Sequence, residues 1–156
     1  MIVRRAIPSD VPFILSLIKE LATYEREPDA VKATEASLMA SLFADNAQVF
    51  AHVVEVDGVV AGLAIWFLNY STWTGKPGIY LEDLIVADAA RGLGAGKALF
   101  KALAADAETL GCARIDWAVL DWNTPAMDFY RALGGRPQSG WQPWRIDGPA
   151  LEALKR

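Results

Sequence analysis

The chain has 156 residues, 53% of them hydrophobic, and a formal net charge of −4. That length suits one domain, residues 1–156, with enough buried surface for a single core. The acidic balance repels phosphate backbones, which counts against a nucleic-acid partner, and it does not hinder a cationic small substrate.

MIVRRAIPSD opens the chain with a short strand over 2–7 and has neither the apolar core nor the cleavage site of a secretory signal. Ser9 is a candidate cap for a helix through VPFILSLIKELATYE, where Ile14, Leu17, Ile18 and Leu21 recur at helical spacing. A second helix is expected over 34–43, capped by Thr34. QVFAHVVEV (48–56) and VVAGLAIWFLN (59–69) form a hairpin turned by Asp57-Gly58. His52 lies inside the first of these strands, as a structural residue. YSTWTGKPG (70–78) is a loop, and IYLEDLIV (79–86) is the next strand. A glycine-rich turn then opens a helix that runs to about Leu110 and is stopped by Gly111.

ARIDWAVL (113–120) is a strand, preceded by the single cysteine, Cys112. One cysteine permits no intrachain disulfide, and a reduced cytoplasmic compartment follows. Its place at the start of a buried strand makes it an inert thiol. DWNTPAMDFYRALGG (121–135) gives a turn, a helix with Thr124 as cap and Pro125 at its first position, and a glycine stop. A last strand is expected within 140–148, and a short helix closes the chain. No run reaches the ~18 apolar residues of a membrane span. This order predicts an α/β fold, a mixed central sheet with helices on both faces.

RGLGAGKALF (91–100) carries the chemistry. A dinucleotide fingerprint needs Gly-x-Gly-x-x-Gly, but Gly92, Gly94 and Gly96 have the wrong spacing. A Walker A loop fails too, because Arg91 stands where its first glycine belongs and Ala98 replaces its hydroxyl. What remains is Arg-x-x-Gly-x-Gly after a strand and before a helix. Glycines let backbone approach a ligand, and a helix N-terminus offers N–H groups to a pyrophosphate.

This stretch resembles the acyl-CoA-binding signature of the GNAT family of N-acetyltransferases. WTGKPGIYLEDLIVADAARGLGAGKALF, VLDWNTPAMDFYRALGG and the earlier LIKELATYERE look like its diamine (spermidine/spermine) acetyltransferase branch. The resemblance implies a homodimeric enzyme that uses acetyl-CoA as co-substrate, and the sequence holds no metal-ligand cluster, so no metal is expected. It implies that the backbone of Leu84, Ile85 and Val86 pairs with the pantetheine arm as an added strand. The amides of Gly92, Leu93, Gly94, Ala95, Gly96 and Lys97 would cradle the pyrophosphate, with charge from Arg91. Asn123 matches a position touching the cofactor, and also suits a turn before Pro125. Tyr130 matches the acid that protonates the leaving thiolate.

An alkylamine arrives protonated, near pKa 10.4, so its attack on a thioester needs a base. The resemblance gives that task to Glu82, through water. Strand alternation puts Glu82 and Asp83 on opposite faces unless a bulge lies between them. Tyr24, Glu25, Glu82 and Asp83 are the expected acceptor-binding residues, with Glu20, Glu27, Asp121 and Trp73 as weaker candidates. One departure concerns the acceptor: the branch carries an acid before its Gly-Trp, whereas Gln138-Ser139 precede Gly140-Trp141 here. That favours a shorter amine or an amine-bearing amino acid such as thialysine or lysine over polyamines. Acetylation of protein lysines or N-termini, and a non-catalytic acyl-CoA sensor, are the alternatives.

Overall fold

The computed structural model describes all residues, 1–156. The chain divides into two compact units, Met1–Leu120 and Asp121–Arg156.

In the first unit, five strands lie side by side in chain order: β1 (Ile2–Arg5), β2 (Val49–Val56), β3 (Val59–Ser71), β4 (Lys76–Val86) and β5 (Ile115–Trp117). Neighbours are antiparallel except β4 and β5, which are parallel, so the sheet is mixed as expected. A parallel pair needs a crossover, supplied here by helix α3 (Ala95–Thr109). Helices α1 (Val11–Tyr24) and α2 (Glu35–Phe43) precede β2.

Period-two alternation divides the apolar side chains between two cores, one on each face. Ile14 and Leu17 of α1 and Leu42 of α2 pack with Val53, Leu63, Ile65 and Ile85. On the other face Leu99 and Leu103 of α3 pack with Val54, Ala64, Trp66, Ile79 and Leu81. Each core has its own helices, which bears out the expectation of helices on both faces.

Local chemistry explains the element ends. Thr34 caps α2 as expected, its Oγ1 accepting from the Ser37 amide at 3.1 Å while Ser37 Oγ accepts from the Thr34 amide. Ser9 does not cap α1: it lies in a 3₁₀ turn, Pro8–Asp10, and the N-cap residue of α1 is Asp10, whose carboxylate makes no hydrogen bond to α1 and turns back to the start of that turn. Asp10 Oδ2 accepts from the Ile7 amide at 2.8 Å and from Arg4 Nη1 at 2.7 Å, and Arg4 also reaches Glu55. Arg4, then the Ile7 amide, hold the buried Asp10 carboxyl below its ordinary range against the opposing effect of burial. A lowered folded pKa gives stability that is present above the ordinary carboxylate pKa and is lost as pH falls through the lowered value. Asp10→Asn is therefore expected to cost about 1–3 kcal/mol at neutral pH and to flatten the acid limb of the stability curve. Urea unfolding across pH 3–7 measures both.

His52 is structural, as expected. Trp66 Nε1–H donates to its Nδ1 at 3.1 Å, and Nε2 lies 3.2 Å from Asp106 Oδ2 on α3. Burial, followed by the charge of Arg5, pushes this imidazole below its usual range, so it stays neutral and Nδ1 can accept.

Several boundaries differ from the expected ones. The loop placed at 70–78 shrinks to 72–75, because β3 runs on to Ser71 and pairs with Lys76. Gly75 makes this tight return possible with φ +66°. The strand expected over 113–120 is only Ile115–Trp117, the stretch in register with Ile79–Leu81 of β4, while Ala113 donates a single backbone hydrogen bond to Pro77.

The second unit holds α4 (Thr124–Ala132) and α5 (Gly148–Leu154). The cap of α4 is Asn123 rather than Thr124: Asn123 Oδ1 accepts from the Ala126 amide at 3.3 Å. No strand forms over 140–148, where Pro143 removes a ladder donor.

Candidate active site

The site in the first unit starts from a fault in a ladder. Ile65 of β3 pairs with Asp83, but the next residue, Trp66, pairs with Leu81. Glu82 is thus the extra residue of a β-bulge in β4. A bulge bends its strand and re-aims side chains. The condition set by strand alternation is met here, and both carboxylates belong to the sheet face that carries α1 and α2. Asp83 is opposite Ile65, which packs with Ile14 and Leu17. Both Asp83 and Tyr80 feel the charge of Glu82.

Burial is the larger cause that lifts the half-buried Asp83 carboxyl to about 6, followed by the charges of Glu82 and Glu25. Glu25 follows the last residue of α1, and burial raises its carboxyl too. Glu82 itself is exposed. The structure therefore gathers Glu25, Glu82 and Asp83 electrostatically, and the carboxyl of Asp83 is lifted towards neutral pH. Sequence reasoning placed Asp83 among the acceptor contacts and gave the base role to Glu82.

Beyond the bulge β4 loses one neighbour. Gly62, Leu63 and Ala64 of β3 pair with Val86, Ile85 and Leu84, but β5 pairs only with Ile79–Leu81. The β5-side edge of Leu84–Val86 is left without a strand, the arrangement that strand addition requires.

The turn after β4 leads into α3. Gly92 and Gly94 have φ of +77° and +83°, and a Cβ built on either would meet nothing within 4 Å. Gly94 is the N-cap of α3 and its carbonyl accepts from the Ala98 amide at 3.0 Å. The amides of Ala95, Gly96 and Lys97 precede the first intrahelical donor and form the positive end of a helix of 15 residues. Leu93 stands exposed between the two glycines. This open cradle of amides fits a pyrophosphate. Arg91 serves the turn itself: its Nε donates to the Val86 carbonyl at 3.2 Å, Nη1 pairs with Asp88 at 2.8 Å, and its guanidinium lies 5.6 Å from the ring of Tyr24.

Asn123 and Tyr130 belong to the second unit. Asn123 is buried in the turn before Pro125 and caps α4, the role the sequence reading gave to Thr124. Tyr130 is half-buried on α4, with its ring centroid 5.4 Å from that of Phe129. Of the weaker candidates, Trp73 is exposed at the β3–β4 turn, and Glu20, Glu27 and Asp121 are exposed.

Sequence reasoning passed over a polar row on the same sheet face. Asn69 Nδ2 donates to Asp116 Oδ2 at 3.1 Å, and Arg114 Nε pairs with the same oxygen at 2.8 Å. Asp116 is opposite Tyr80 in the parallel ladder. Burial, then the charges of Glu82 and Asp116, raise the Tyr80 phenol. The available signal was the alternation of Arg114, Ile115 and Asp116 where β5 begins. No helix is long and apolar enough to cross a membrane, and no group of three or more metal-ligating side chains is gathered.

Comparison with known proteins gives the family and agrees with the fold. Residues 13–134 match the Acetyltransferase (GNAT) family. A thialysine N-epsilon-acetyltransferase of Sus scrofa is 37% identical, over 99% of this chain and 96% of the relative. An L-ornithine N5-acetyltransferase of Arabidopsis thaliana is 31% identical, over 99% of this chain and 87% of the relative. Among solved structures, an integron cassette protein from the mobile metagenome of V. cholerae superposes with a TM-score of 0.82 at 26% identity, covering 99% of this chain and 97% of that one. An aminoglycoside acetyltransferase from a soil metagenome shares the fold, with a TM-score of 0.76 at 18% identity over 94% of this chain and 96% of that one. The chain belongs to the GNAT family of acetyltransferases.

Proposed function

We propose that this protein transfers an acetyl group from acetyl-CoA directly to the primary amine of a small cationic acceptor, a diamine or an amine-bearing amino acid. One observation carries the reading: the strandless edge of Leu84–Val86 lies just past a bulge that brings Glu82 and Asp83, whose carboxyl is raised to about 6, onto one face. The names of the relatives, acetyltransferases of thialysine and of ornithine, support an amino acid over a polyamine. The missing acid before Gly140-Trp141 points the same way.

Acetyl-CoA supplies an activated acetyl carbon, which the free amine attacks as the carbon–sulfur bond breaks. The amides from Gly92 to Lys97 hold its pyrophosphate, and Arg91 braces that turn. The β4 edge holds the pantetheine arm, and a backbone N–H of Leu84–Val86 faces the developing oxyanion. Glu25 and Glu82 receive the acceptor's ammonium with Tyr24 beside them. Its proton passes by way of Glu82 and water to Asp83, an ionised carboxylate above pH about 6. Asn123 touches the cofactor while it caps α4. Tyr130 protonates the departing thiolate. The two units act as one acetyltransferase domain, a reading supported by a family match that runs across their boundary, over residues 13–134.

We also propose a cytoplasmic homodimer. Trp141 and Trp144 are 73% and 90% exposed, and burying such aromatics is what an interface offers. The single cysteine suits a reducing compartment.

Thiol release from acetyl-CoA, measured against lysine, thialysine, ornithine, putrescine, spermidine and a lysine peptide, tests the reaction. Transfer to the small amines is expected, and transfer to the peptide alone would instead mark a protein acetyltransferase. Tyr130→Phe is expected to lower kcat about tenfold with little change in acetyl-CoA affinity. That loss falls below the usual general-acid contribution because a thiol of pKa about 8.5 is already a good leaving group. Full activity of this variant would remove Tyr130 from the mechanism.

A further inference from the structure

We propose that Arg114, Asp116 and Asn69 form a head-group subsite for the α-ammonium and α-carboxylate of an amino-acid acceptor whose side-chain amine is acetylated at Glu82 and Asp83. The inference rests on the acetyltransferase reading above and names the substrate class that this site takes.

Three strands meet at the subsite because β4 lacks a side chain at one position. A Cβ on Gly78 would lie 2.5 Å from Asn69 Oδ1 and 3.2 Å from Arg114 Cγ. Without it, Asn69 of β3 reaches across β4 to Asp116 of β5 at 3.1 Å. Arg114 and Asp116 alternate with Ile115, so they share the face that holds Tyr80, Phe67 and Asn69. Tyr80 ties the subsite to the bulge, since its phenol feels the charges of both Glu82 and Asp116.

Charge selects the ligand. Arg114 offsets Asp116, so the row is close to neutral and is a poor trap for a second lone ammonium. It matches a zwitterion. Only Nε of Arg114 is engaged, at 2.8 Å from Asp116, and its two terminal nitrogens remain as a fork for a carboxylate. The second oxygen of Asp116 accepts from an ammonium. Asn69 Oδ1 is buried with no hydrogen-bond partner, a costly state for an amide oxygen. The last torsion of asparagine is soft, so this oxygen can turn to meet an ammonium N–H.

Spacing agrees. Asp116 stands at the level of Phe67 and Tyr80, and Asp83 at the level of Ile65. Two residues of β3 separate these levels, about 7 Å along the strand. A lysine-like side chain spans roughly 6 Å from Cα to its terminal nitrogen. The head group would thus sit over β5 while the amine reaches the bulge.

The test compares kcat/KM for L-lysine, its decarboxylated diamine cadaverine, and Nα-acetyl-L-lysine, in wild type, Arg114→Met and Asp116→Asn. Wild type is expected to favour L-lysine roughly tenfold over either analogue, the loss typical of one charge-assisted contact. Arg114→Met should bring the lysine-to-cadaverine ratio to about one. Asp116→Asn should do the same for the lysine-to-Nα-acetyl-lysine ratio. Arg114 is exposed, so Arg114→Met does not threaten folding and suffices if Asp116→Asn fails to fold. Equal use of lysine and cadaverine by wild type, or ratios unchanged in the variants, overturns the subsite while leaving acetyl transfer standing. No transfer to any amine overturns both.

Discussion

Replacing Asp83 with asparagine is expected to lower kcat/KM by about 10²–10³-fold, within the usual range for losing a positioned base. The wild-type rate should fall as pH drops below about 6, where this carboxylate takes up a proton. Asp83→Asn should abolish that acid limb. Glu82→Gln gives a different signature. The charge of Glu82 helps to hold the Asp83 pKa up, so its removal should move the limb to lower pH rather than erase it. If Glu82 itself accepted the proton, Glu82→Gln would erase the limb and Asp83→Asn would leave it in place. Rate profiles of the two variants decide between these assignments.

The same shift makes a stability prediction of opposite sign to that of Asp10. The Asp83 carboxyl is raised from 3.8 to about 6, so the folded state binds its proton more tightly than the unfolded chain does. Stability therefore falls as pH rises from about 4 to 6, by up to about 3 kcal/mol before screening by solvent. Above pH 6, Asp83→Asn should melt higher than wild type while losing activity. A poised base is thus held at a cost in stability, as functional sites commonly are.

The second large effect lies in the core. Leu99 is fully buried on α3 among Trp66, Ile79, Leu81 and Leu103. Leu99→Ala removes apolar contact and leaves a cavity that a rigid sheet cannot close, at a cost of about 3 kcal/mol. For a chain of this size, that loss lowers Tm by about 10 °C. Phe13→Ala on α1, where the residue is 52% exposed, should stay within about 1 kcal/mol. Equal losses in calorimetry would mean that the α3 core is looser than its packing implies.

Local rules decided much of this protein from the sequence alone. Helical spacing in VPFILSLIKEL found α1, Asp57-Gly58 found the β2–β3 hairpin, and Gly111 found the end of α3, because each signal acts over a few residues. The glycine turn before α3 was legible for the same reason: positive φ at Gly92 and Gly94 and bare first-turn amides are properties of a short stretch. Resemblance singled out Tyr130 and the Glu82-Asp83 pair and gave the base role to Glu82, but it carried no information on how burial acts on Asp83.

The tertiary structure decided what depends on neighbours distant in sequence. The bulge exists because β3 slips by one residue against β4 between Ile65 and Trp66. Burial, followed by the charges of Glu82 and Glu25, raised the Asp83 carboxyl to about 6. The strand expected at 113–120 stopped at Trp117, where its register with β4 ends at Leu81. The row of Asn69, Arg114 and Asp116 was hidden because its members lie 47 residues apart at the widest hydrogen bond and meet over the missing side chain of Gly78. Alternation and caps are set by the chain nearby, whereas register, burial and electrostatic company are set by the sheet as a whole.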